Sequence, residues 1–294
     1  MNLLETTLTV GHACNGIPFT ITGESLHLIP REIEAKITPE LAIYRQSKSK
    51  LQVNEISGVE FRKCAFDEAT FVEGKFLQCI FEGCSFKETR LEKTIFLDCI
   101  FRNCSFNYAE IVSEKAFGRH LAMFDNCNFE KCDFRRITTV STRFVECSFE
   151  FCHIDSIHIY SEFEGCNFEG KLKDTQFHGH NGFFGFMKKN SIIDCDFRKA
   201  EFEDVDFFHI DLNPDFLPVD EKLVILPNGR KDLEEWKRAL YGSVKHSDVF
   251  IDTMAPSIGN GWPVSKGTLL EVYSEEKVQL LIDIVKKSRL NIKK

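Results

Sequence analysis

The sequence predicts an all-β repeat core over residues 59–217, with a small N-terminal cap and a mixed, partly α-helical C-terminal region, and three observations predict it. From Phe61 onward every fifth residue is large and apolar. Two positions before each of these stands a small or compact side chain. Beyond Leu212 the pattern stops, and Pro214, Pro218 and Pro227 mark a linker.

The core comes first in the argument. The large series runs Phe61, Phe66, Phe71, Phe76, Phe81, Phe86, Leu91, Phe96, Phe101, Phe106 and Ile111. A period of five fits neither the 3.6 of a helix nor the 2.0 of a flat strand. The compact series is Val59, Cys64, Ala69, Gly74, Cys79, Cys84, Thr89, Thr94, Cys99, Cys104 and Ala109. The same small-x-large-x-x unit continues in a shifted frame from Cys127/Phe129 to Ile159, and resumes at Cys166/Phe168 and from Cys195/Phe197 to Ile210/Leu212. This one slot holds 11 of the 12 cysteines and leaves only Cys14 outside.

Runs such as FLQCIFEGCSF and FRNCSF resemble the pentapeptide-repeat family. That resemblance implies a right-handed quadrilateral β-helix in which each unit makes one side of a square coil and four units complete a circuit of 20 residues. The spacing agrees: Cys64, Cys84 and Cys104 are 20 apart, as are Cys79 and Cys99, so each set stacks in a column. Coils about 4.8 Å apart give a rod of roughly 35 Å for about seven coils. The preference for Phe with Cys is similar to the quinolone-resistance subgroup, whose members resemble DNA and bind type II topoisomerases. A fold hosts many functions, so the resemblance speaks for architecture before activity.

Two interruptions stand out. Ile111 to Phe124 is 13 residues where 10 are expected, an excess of three. Residues 169–191 form the longer disruption, read as a loop that exposes Phe183, Phe184, Phe186 and Met187. Its His178 and His180 could ligate a metal, but no carboxylate or cysteine stands at suitable spacing, and a solvated loop is the reading taken. The cysteines, five apart, lack the paired spacing of metal sites and read as small apolar filler. No cofactor and no metal is expected.

Residues 1–58 hold short β-like stretches and are expected to cap one open end of the coil, where bare strand edges would recruit other chains. In residues 218–294 two helices are expected. Residues 232–241 carry Leu233, Trp236 and Leu240 on one side and stop at Gly242. Residues 274–288 have Ser274 as N-cap and Val278, Leu281, Ile282 and Val285 as a stripe. Between them Gly259, Gly261 and Gly267 lie in a segment read as loop, without a phosphate-binding layout. This region reads as a cap or a homodimerisation element, with a small separate domain as the alternative.

Net charge divides as −1, −9 and +2 over residues 1–58, 59–217 and 218–294. An acidic body repels nucleic acid and suits a basic partner. No apolar run is long enough to span a membrane and the start lacks a secretory layout, so a cytoplasmic location is expected. With small and large residues inside, outward columns are compared at spacing 20. Acidic residues do not stack in this arithmetic; Asp196, Glu201, Asp206 and Asp211 form a belt around one coil. Leu77 over Leu97, Ile80 over Ile100 and Ile95 beside them make an apolar corner, and such surface marks an interface unless the chain's own termini cover it.

No constellation for catalysis is recognisable, and the sequence reads as a non-enzymatic scaffold that presents the apolar corner and the second interruption to an unidentified protein partner. Two alternatives stay open: a DNA mimic that modulates a type II topoisomerase, and an exported bacterial effector with an unassigned C-terminal activity.

Overall fold

The computed structural model describes residues 8–13, 19–21, 33–36, 50–52, 55–112, 122–179, 190–241 and 248–292, with side chains from residue 55 to 287 within those ranges. Its body is a four-sided β-helix of parallel, in-register strands. On the first face Lys75–Leu77 pairs with Ile95–Leu97, which pairs with Met123–Asp125. The second face stacks Ile80–Glu82, Ile100–Arg102, Asn128–Glu130 and Ser148–Glu150. Bridges from Ala65 through Ser85, Ser105 and Asp133 to His153 make the third. Thr70–Val72, Arg90–Glu92 and Glu110–Val112 make the fourth.

The ladder begins before residue 59. Lys50–Gln52 already pairs with Thr70–Val72, and Ile56 stands in register with Phe76. Further upstream, Leu8–Ala13 pairs antiparallel with Phe19–Ile21 and with Ile33–Lys36, and Ile33 is in register with Phe61.

Inside, the large residues fill the axis. On the second face Phe61, Phe81, Phe101, Phe129, Phe149, Phe168 and Phe197 form one unbroken stack with centroids 4.5–5.0 Å apart. Neighbouring faces meet edge-on, as Phe96 meets Phe101 at 5.4 Å and 70°. Strand spacing imposes the parallel stack and the square cross-section supplies the edge contacts that the ring quadrupole favours. All the large and compact residues of the regular series are buried except Ala69, which is partly buried.

The compact slot does more than fill space. Each thiol points at backbone carbonyls: Cys99 Sγ donates to Phe76 O at 3.4 Å, and Cys104 Sγ to Phe81 O at 3.3 Å. Hydroxyls in the same slot do likewise, Thr89 to Phe66 O at 2.7 Å and Thr142 to Ile111 O at 3.0 Å. The slot therefore accepts a short side chain with one weak donor, and Cys and Thr both qualify.

At many corners the residue before the compact one is left-handed. Lys63, Gln78, Asp98, Asn103, Asn126, Lys131, Glu146 and Phe151 have φ of 49–54°. That conformation costs a non-glycine residue roughly 1–2 kcal/mol. It also turns the corner amide onto the next coil, as when Asp98 N donates to Asp125 O at 2.9 Å.

The C-terminal region holds the two expected helices, observed as Arg230–Tyr241 and Glu275–Ile292. Trp236 is buried between them and donates Nε1 to Leu281 O at 3.1 Å. The segment read as loop is not all loop. Trp262–Ser265 pairs antiparallel with Leu223–Leu226, and Val249–Met254 and Lys266–Val272 are short helices. Four-residue strands and helices of six and seven residues are too short to show a period. Residues 257–261 lie on the last coil edge: His209 N donates to Ser257 O at 2.6 Å and Leu212 N to Asn260 O at 2.8 Å.

Candidate interaction surface

A column of outward side chains is defined by strand register, and register differs from a fixed count of 20 once the interruptions are passed. Phe96 pairs with Phe124, so the first interruption adds eight residues to a coil, not three. Counting modulo five cannot separate the two values; the cross-coil partner can. The second interruption is shorter than the reading of residues 169–191. Asn167–His178 is a strand of the coil, with Leu172 and Phe177 buried in the axis. Phe183, Phe184, Phe186, Met187 and His180 lie outside the described residues.

His178 accordingly sits on the fourth face and not in a loop. Its ring stacks on Tyr160 at 4.5 Å and on Phe208 at 5.2 Å. Its Nε2 is hydrogen-bonded to His158 Nδ1 at 3.2 Å. Burial, then the nearby His158 and His209, hold its pKa down to about 4. Among the described residues no group of three or more His, Cys, Asp or Glu is placed to hold a metal ion.

The apolar corner exists as a juxtaposition. Leu77 is in register with Leu97 and Ile80 with Ile100, while Ile95 stands between Lys75 and Met123. All five are half-buried, so the corner is flat, not protruding.

Higher in the coil the same columns change character. The column of Leu77 and Leu97 continues through Asp125, Val145, Glu164 and Ile193. At the adjoining corner successive amides link Gln78, Asp98, Asn126, Glu146, Gly165 and Asp194 from coil to coil. On the second face Glu130, Glu150 and Glu169 stand directly over one another. The expectation that acidic residues do not stack is therefore corrected: it rested on the first three coils, before the interruptions shift the frame.

Some of these carboxylates are neutralised. Glu164 meets Arg143 at 2.5 Å, Glu169 meets Lys199 at 2.9 Å, and Glu130 meets Lys131 at 3.0 Å. Asp98, Asp125, Glu146, Glu150 and Asp194 have no cation among the described ion pairs. The belt is less available. The Arg198 guanidinium holds the Asp196 carboxyl below its usual range, Asp211 accepts Asn260 N at 2.8 Å, and burial with Asp204 nearby raises Asp206.

The thiols offer no reactive group at the surface. All eleven described cysteines are buried and free, and burial pushes the thiols of Cys127, Cys132, Cys147 and Cys166 up. A thiol is nucleophilic only as thiolate.

Residues 54–115 match the family model described as a pentapeptide repeat region. Among curated proteins nothing matches. Solved structures similar to this chain include QnrB1, a plasmid-mediated fluoroquinolone resistance protein, at 16% identity and a TM-score of 0.28, over 54% of this chain and 86% of that one. HetL, a pentapeptide repeat protein involved in heterocyst differentiation regulation from the cyanobacterium Nostoc sp. strain PCC 7120, matches at 11% identity and a TM-score of 0.17, over 56% of this chain and 94% of that one.

Proposed function

We propose, on the premise that this chain is a pentapeptide-repeat protein, that it is a non-enzymatic scaffold which holds a protein partner against the outside of its coil. The apolar corner of Leu77, Ile80, Ile95, Leu97 and Ile100 carries this reading. Its side chains are arranged by register into a flat, half-buried patch. Contiguous apolar surface of this kind marks interaction sites. The stacked interior leaves the coil axis filled by rings and thiols, so what distinguishes this chain is what it displays outside. No described helix is long and apolar enough to cross a membrane.

The test compares the wild type with a variant carrying Ser at positions 77, 80, 97 and 100 as bait in crosslinking pull-downs from the native cell. A partner enriched by the wild type and lost by the variant supports the scaffold. Equal recovery by both baits removes it.

A second reading, a DNA mimic acting on a type II topoisomerase, is favoured by the stack of Glu130, Glu150 and Glu169. Supercoiling by purified gyrase, unchanged by this protein with or without a quinolone, would eliminate it.

A further inference from the structure

The apolar corner does not end in neutral surface, and this fixes the kind of partner it fits. From Leu97 and Ile100 the columns pass directly to Asp125 and Asn128, and the corner between them carries Asp98, Glu146 and Asp194. These three acids are fully outward, and each is separated from the next by one uncharged corner residue, Asn126 or Gly165. With coils about 4.8 Å apart, they recur about every 10 Å. An extended chain rises roughly 3.3 Å per residue, so every third residue of such a chain meets one acid.

Resting on the scaffold reading, we propose that the occupant of this corner is an extended cationic segment of a partner protein, with apolar residues at one end and Lys or Arg at every third position beyond them. The apolar end lies on Leu77, Ile80, Ile95, Leu97 and Ile100. The cations follow the corner past Asp98, Glu146 and Asp194, with Asp125 and Glu150 flanking. Complementary charge sets register and partner choice, and the apolar patch anchors the end.

The experiment uses the full chain and fluorescent synthetic peptides. One has two leucines followed by three lysines at every third position in a Gly/Ser background, a second has that order reversed, and a third has the same composition with its lysines adjacent. Fluorescence anisotropy should show saturable binding of one of the spaced peptides, weakening as salt rises, and at least tenfold weaker binding of the adjacent-lysine peptide. The Asp98→Lys/Glu146→Lys variant should lose at least tenfold in affinity, and so should Leu97→Ser/Ile100→Ser. Lysine already occupies the left-handed corner at Lys63 and Lys131, so the charge reversals are compatible with the fold.

The control makes the same charge change on another edge, with Glu68→Lys/Asp174→Lys, and should bind within twofold of wild type. Equal loss in the control, equal binding of the adjacent-lysine peptide, or no saturable binding by the wild type would each overturn the proposal. Peptide failure with partner capture still lost in the four-serine bait removes this inference and leaves the scaffold reading standing. Equal partner recovery by the two baits removes the scaffold reading itself.

Discussion

Phe96 and Phe124 stack with ring centroids 4.8 Å apart and planes 5° from parallel, although 28 residues separate them in the chain. The next pair in that column, Phe124 and Phe144, stacks at 5.0 Å across the regular 20. The coil thus holds its stack constant and lets the sequence between vary.

Deleting residues 114–121 should therefore leave the coil intact. It joins Val112 and Ser113 to Ala122 and restores the regular 20, with Ser113 at a corner where Ser141 already adopts φ 56° one coil later. The expected result is an unchanged far-ultraviolet circular dichroism spectrum and a melting temperature within a few degrees of wild type. Loss of cooperative melting would contradict the assignment of eight inserted residues.

Two phenylalanines should respond in opposite ways. Phe101 is fully buried between Phe81 and Phe129, and Phe101→Ala should cost about 3–5 kcal/mol in denaturant unfolding. Phe151 is 56% exposed at a corner with φ 52°, and Phe151→Gly should be neutral or stabilise by up to about 1 kcal/mol.

Native-state alkylation should report the thiols' confinement. The eleven described cysteines are buried, and those whose pKa burial raises gain no thiolate at mildly alkaline pH. Labelling of these eleven between pH 7 and 9 should proceed no faster than unfolding, and all should react in denaturant. Rapid labelling of any of them in the folded protein would contradict the packing.

Acid should weaken the fourth face through His178. Its folded pKa near 4 lies below the usual 6.5, so between these values the unfolded chain binds more protons. Stability should fall as pH drops from 6.5 towards 4. In His178→Phe, which continues the stack between Tyr160 and Phe208, thermal melts should show a shallower decline over that window. An identical pH profile in the two proteins would contradict this account.

The contact between residues 257–261 and the coil end depends on a missing side chain. A Cβ on Gly259 would overlap the Ile210 carbonyl, and one on Gly261 that of Leu212. Gly259→Ala should detach this segment and raise protease cleavage after residue 217, while the coil's strand signal is retained. Unchanged protection would show that the close approach is not required.

The sequence by itself determined the coil, because a period of five with Phe or Leu at one slot and Cys, Thr or Ala two places earlier satisfies one repeating cross-section, and Phe61 through Ile111 all obey it. It also located the helices around Trp236 and Leu281, where amphipathic periodicity is long enough to read. Tertiary structure decided which outward side chains are neighbours. Glu150 lies beside Glu130 and Glu169, and Tyr160, His178 and Phe208 form a ladder, only because each coil hydrogen-bonds to the one before it, whatever number of residues lies between. The interior repeats with the chain and is legible as a period. The surface is assembled across coils whose lengths differ, so its chemistry emerges only when the strands are laid in register.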